Sequence, residues 1–101
     1  MRIEITPNGI KQLTIDDNCD YADFYLFAEL LASLTGINYK NKFDGFDDLY
    51  WDFDFEGSEM TLSYNVYLGI SINSLKFKDA TPLEEQKFIR LLEILQTYTP
   101  I

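Results

Sequence analysis

The 101-residue chain contains no histidine, one cysteine and three prolines. Without histidine it cannot form an imidazole-ligated zinc site, a Ser-His triad or a histidine general base. Its lone thiol, Cys19, cannot close an internal disulfide, which suits a reducing compartment. With no histidine partner, Cys19 reads as a small packing residue near a helix start. No run approaches the roughly 20 apolar residues of a membrane span. The best candidate, "YLFAELLASL", carries Glu29 in its middle. The opening "MRIEITPNGIKQL" has neither the apolar stretch nor the cleavage site of a secretory signal. A cytoplasmic protein with no membrane contact is expected.

Positive charge is the next scarcity. Eight Lys and Arg face seventeen Asp and Glu, for a net charge of −9. Residues 1–15 sum to +1 and residues 60–101 to zero, so residues 16–59 carry −10. Such a field repels nucleic acid and anionic membranes and attracts basic partners. Apolar content of 47% and charged content of 25% fit one globular domain over residues 1–101. No repeat, low-complexity tract or Pro/Gly-rich linker divides it.

"RIEIT" and "IKQLTI" flank "PNG", the signature of an N-terminal hairpin. A first helix is expected to start in "DDNCD", where Asp16, Asp17, Asp20 and Asp23 favour its positive end. Phe24, Phe27, Ala28, Leu31 and Leu34 follow helical spacing, and Gly36 is placed to stop the helix. A second helix opens at "TPLEE", with Thr81 as N-cap, Pro82 at the first position and Glu84 completing a capping box. Phe88, Leu91, Leu92 and Leu95 make its core stripe, and Pro100 follows its end. Between the helices, apolar residues alternate from Met60 to Ile72, which predicts one long strand buried on one face. A turn at Asn73-Ser74 would return Leu75 and Phe77 to that face. The expected fold is α+β: an antiparallel sheet, made of the N-terminal hairpin plus a three-stranded meander, with two helices packed on one face.

Residues 43–59, "FDGFDDLYWDFDFEGSE", hold seven carboxylates and six aromatic rings and no Lys or Arg. Gly57-Ser58 suggests a type II′ turn. That turn would pair Phe55 with Met60, Phe53 with Leu62, Trp51 with Tyr64 and Leu49 with Val66. Trp51, Phe53 and Phe55 then face the core. Asp52, Asp54 and Glu56 stand about 7 Å apart on the outer face, with no counter-charge in the hairpin. Two like charges at that distance cost about 0.6 kcal/mol in water and about four times more at an effective dielectric near 20. The row is therefore cheap while wet, and only a cation can cover it favourably.

Sharper chemistries do not fit. "DFDFEG" begins like a calcium loop, but Ser63 stands where the bidentate Glu belongs and Met60 takes the ninth place. "DFD" is also the type of metal-binding pair found in glycosyltransferases, but the chain is too short for a nucleotide-sugar domain. A carboxylate pair on an open, wet strand lacks the cleft and the separated pKa values of a glycosidase. No enzyme activity, metal or cofactor is expected. Tyr21, Tyr25, Tyr39, Tyr50 and Tyr67, with Phe43 and Phe46, lie in or near the acidic region, and aromatics among carboxylates suit a protein-binding hot spot.

In size, acidity, lack of histidine and its carboxylate-and-aromatic segment, the chain resembles the immunity proteins of bacterial toxin–immunity systems, including contact-dependent growth inhibition. The resemblance implies direct neutralisation of one cognate basic toxin, often a nuclease. The candidate contacts are Asp44, Asp47, Asp48, Tyr50, Asp52, Asp54 and Glu56. Two alternatives use the same composition: a nucleic-acid mimic that inhibits a DNA-binding complex, and an adaptor whose acidity is incidental.

Overall fold

In the computed structural model, described residues are 2–7, 9, 11–16, 20–75 and 81–98. Cys19, Asp17, Phe77 and Pro100 lie outside them. Six strands form one sheet: β1 Arg2–Ile5, β2 Lys11–Asp16, β3 Tyr39–Asp44, β4 Asp48–Phe55, β5 Ser58–Asn65 and β6 Gly69–Ser74. Their spatial order is β1-β2-β6-β5-β4-β3, and every neighbouring pair is antiparallel. Helix α1, Tyr21–Thr35, leads from β2 to the far edge at β3, and α2, Pro82–Tyr98, follows β6.

Both helices begin as their local sequence dictates. Asp20 caps α1 by accepting from the Asp23 amide at 3.1 Å, and the Asp23 carboxylate accepts from the Asp20 amide at 3.0 Å. Gly36 ends α1 in the left-handed region, φ 74°, where a side chain would be strained. The Glu84 amide donates to the Thr81 hydroxyl at 3.2 Å, and the Glu84 carboxylate accepts from the Thr81 amide at 3.2 Å, closing the second capping box. Phe24, Ala28 and Leu31 of α1 and Phe88, Leu91 and Leu95 of α2 bury against Leu13, Met60, Leu62, Ile70 and Ile72 of the central strands. One core thus lies between the helix pair and one sheet face.

Two hairpins differ from expectation. The turn joining β4 and β5 is Glu56-Gly57, not Gly57-Ser58. Both central residues have positive φ, 50° and 86°, as a type I′ turn requires. Phe53 therefore pairs with Met60, Trp51 with Leu62 and Leu49 with Tyr64. The register moves by two residues, so each side chain keeps its expected face. The predicted pairing would have needed Leu49 opposite Val66, and Val66 belongs to a turn.

The second difference is larger. Residues 60–73 are not one strand but β5, a turn at residues 66–68, and most of β6. The Leu68 amide donates to the Asn65 carbonyl at 3.1 Å, and the Tyr67 amide to the Asn65 side chain at 2.9 Å. Gly69, φ 81°, closes the loop. A three-residue loop preserves parity: Leu62 pairs with Ile72 and Tyr64 with Ile70. Alternation therefore runs through the turn without a break, and periodicity could not reveal it. Val66 and Leu68, expected in the core, are exposed. Asn73 and Ser74, expected as a turn, belong to β6, where Asn73 lies opposite Thr61 and Gln12.

The other sheet face is polar. The Asn73 amide donates to Gln12 at 3.1 Å, Gln12 donates to the Thr14 hydroxyl at 3.0 Å, and Ser63 and Ser71 share a bond of 2.9 Å. At the β1 end Thr14 donates to Glu4; that bond is the main reason the Glu4 carboxyl is held below its usual range. Such a ladder suits a face that stays in water.

Candidate protein-binding site

The acidic residues singled out in the sequence sit at two ends of the sheet, and the ends differ. At the Glu56-Gly57 turn the negative charge is met from within the chain. Lys40, on β3, reaches Asp54 and Glu59 at 3.0 Å each. Lys87 of α2 lies 3.2 Å from Glu56, and Arg90 forms a second ion pair with it. The row Asp52, Asp54 and Glu56 is therefore not without counter-charge. Asp54 and Glu56 are paired, and Glu56 is turned toward α2. Asp52 lies half-buried between Asn41 and Thr61.

Hydrogen bonding from Arg90 holds the Glu56 carboxyl below its usual range, against an upward push from desolvation. A depressed folded pKa contributes stability that is complete above the unfolded carboxylate value and is lost as pH falls through the folded one. Glu56→Gln is thus expected to lower the urea midpoint at pH 7. The difference from the parent should shrink below about pH 4.

At the opposite end the β3–β4 loop, residues 45–47, meets the 66–68 turn and the start of α1. The Val66 amide donates to the Asp47 carbonyl at 3.1 Å, and the Tyr21 hydroxyl to the Phe46 carbonyl at 2.6 Å. The Gly45 amide donates to the Asp48 carbonyl at 2.7 Å, closing the loop tightly. This contact brings Asp44, Asp47 and Asp48 to the same end as Asp20 and Asp23. Among the described residues no ion pair involves any of these five carboxylates. Their partners are neutral: Trp51 Nε1 donates to Asp44 at 2.9 Å, and the Tyr50 hydroxyl to Asp48 at 3.2 Å. Desolvation, with the nearby Asp48 charge, pushes the Tyr50 hydroxyl pKa upward.

Apolar surface is exposed beside these acids. Phe46 is 95% accessible, Tyr67 83% and Leu68 73%. Phe43 and Tyr50, on neighbouring strands, lie with ring centroids 6.1 Å apart and planes tilted by 38°. On the flank, Arg2, itself 3.3 Å from Glu4, lines a groove with Tyr67 and Leu68. Sequence reasoning raised Phe43 and Phe46 without placing them, put Tyr67 on the polar face of a long strand where the structure has a turn, and assigned Val66 and Leu68 to the core. The usable signal was "NVYLG", an Asn and a Gly bracketing three residues.

No group of three metal-ligating side chains converges among the described residues. No helix among them is long and apolar enough to cross a membrane. Neither a curated protein nor a solved structure matches the chain. A family model described as "Protein of unknown function (DUF3630)" matches residues 1–93, and the chain belongs to that family.

Proposed function

We propose that the protein is a non-catalytic, acidic binding protein that captures a basic protein partner at the β3–β4 loop end of its sheet. An immunity protein neutralising a cognate cytoplasmic toxin, such as a basic nuclease, is the class that fits best. The observation that supports this reading is the unequal pairing of charge. The acids of the Glu56 turn are matched by Lys40, Lys87 and Arg90, whereas Asp44, Asp47 and Asp48 have no ion pair among the described residues. Exposed carboxylates beside Phe46, Tyr67 and Leu68 offer a cation-seeking rim around apolar anchors. Burying such carboxylates under a neutral surface would be unfavourable, so the partner brings Lys or Arg.

The alternative of a nucleic-acid mimic relies on a continuous row of negative charge. Pairing of Asp54 and Glu56 within the chain interrupts that row, which favours a single protein partner. The test is affinity capture from the native host at low salt, with wild type and D47K/D48K compared directly. A basic protein held by wild type, released by high salt and absent from the variant supports the proposal. Equal retention by both proteins, or no basic protein retained by wild type, overturns it.

A further inference from the structure

On the helix-covered side of the sheet, a cleft of about 300 Å³ separates α1 from the β3–β4 edge. Ala28 and Ala32 form its helix wall, and their short side chains leave the space open. Its other walls are aromatic. The rings of Tyr25 and Tyr39 lie 5.7 and 5.3 Å from the Trp51 ring, centroid to centroid. Glu29 and Lys42 complete the lining. The Lys42 ammonium sits over the indole, 4.3 Å from its centroid. From the indole edge, Trp51 Nε1 donates to Asp44.

We propose that this cleft binds a quaternary alkylammonium group, with Lys42 acting as the chain's own competitor for the Trp51 face. The chain already places a cation on that ring, so the geometry for a cation–ring contact exists. The carboxylates of Glu29 and Asp44 add negative charge at the cleft, against the single positive charge of Lys42. A primary ammonium such as Lys42 is strongly hydrated and gains little from an exposed ring. A quaternary ammonium has no N–H to hydrate and gains more from aromatic walls. It therefore displaces Lys42 at a cost of only about two- to fivefold in affinity. The volume lies at the lower end of the ligand-site range, enough for a trimethylammonium head and too small for a nucleotide. The cleft walls are α1 and the β3–β4 edge rather than the 45–47 and 66–68 loops, and the two sites share only Asp44, which bonds the indole edge from outside the lining.

Trp51 is the only tryptophan, so its emission reports the site directly. Titrating the full chain with tetramethylammonium, choline and a trimethyllysine peptide should give a saturable change in emission. Whichever of choline or the peptide binds more tightly identifies a free or a protein-borne source. Lys42→Ala should bind choline about two- to fivefold more tightly than wild type. Glu29→Gln, at an exposed position, should weaken binding without disturbing the fold, and Tyr25→Ala should weaken it by about tenfold. The neutral isostere 3,3-dimethylbutanol should bind at least about tenfold more weakly than choline. Three results would overturn the proposal: no saturable change in wild type or Lys42→Ala, equal binding of the neutral isostere, or Lys42-dependent binding of phenylacetate in place of the cations.

Discussion

Reversing Asp47 and Asp48 to lysine is expected to slow association with the basic partner by about 10- to 100-fold at low ionic strength. The loss should fade as salt approaches about 1 M, where the Debye length falls to about 3 Å. Both side chains can change sign without dismantling the fold. Asp47 is exposed, and its structural bond to Val66 comes from its carbonyl. Asp48 is half-buried and gives up only one hydrogen bond, from Tyr50. Glu59→Lys at the other end is the control. There Lys40 already offsets the charge of Glu59 and Asp54, so reversal should slow association less than about threefold. Phe46→Ala probes the anchor instead. Its ring is almost wholly exposed, so truncation should leave stability unchanged and speed dissociation by about 30-fold or more if the ring seats in a partner pocket. Stopped-flow mixing across a salt series separates these effects. Slowing in proportion to the charge reversed, four units at the loop end against two at Glu59, would show that net charge, and not the loop end, governs capture.

Legibility of the fold followed the range of the interactions involved. Both helix starts were readable because capping is local: the run "DDNCD" held the cap Asp20 of α1, and Thr81 with Glu84 spelled out the capping box of α2. The facing of β4 was readable because alternation depends only on parity, and it survived a turn placed one residue too late. The same parity concealed the 66–68 turn, across which Tyr64 and Ile70 keep one face. Strand β3 has no period-two signal in "YKNKFD", being an edge strand with most positions exposed. Its lysines match the usual defence of an unpaired edge. Ion pairing at Glu56 was out of reach for another reason. Lys87 and Arg90 stand 31 and 34 residues away, and only the packing of α2 brings them near. The acidic segment stood out in the sequence, but among the described residues its members without an ion pair are Asp44, Asp47 and Asp48 at the loop end and the half-buried Asp52, whereas Asp54 and Glu56 are paired. Locating the loop-end group required knowing which loops share an end of the sheet.

Phe53→Ala and Asp52→Ala, adjacent on β4, should separate by several kcal/mol in stability because they stand on opposite faces. Phe53 is fully buried, lies across from Met60 and packs edge-on against Tyr39 at 5.9 Å. Truncating a buried Phe costs about 3–5 kcal/mol, partly for lost transfer and partly for the cavity left behind. A domain of this size has roughly 5–15 kcal/mol in total, so the variant should melt about 12–40 °C lower. Little can relax to fill the gap, since the neighbouring strands hold Met60 and Tyr39 in register and the helices close the core from above. Asp52 forms no ion pair among the described residues and faces the polar side, so its replacement should change stability by no more than about 0.5 kcal/mol. A one-residue slip of β4 would reverse the two results. A shift of two residues would leave them unchanged, which is why Met60→Ala and Leu62→Ala belong in the same series. In the observed register Phe53 couples directly to Met60, and Leu62 couples to Trp51. A double-mutant cycle should therefore give an interaction energy of about 0.5 kcal/mol or more for Phe53 with Met60 and a smaller one for Phe53 with Leu62. The opposite ranking would restore the Gly57-Ser58 turn and with it a different placement of Glu56 relative to α2.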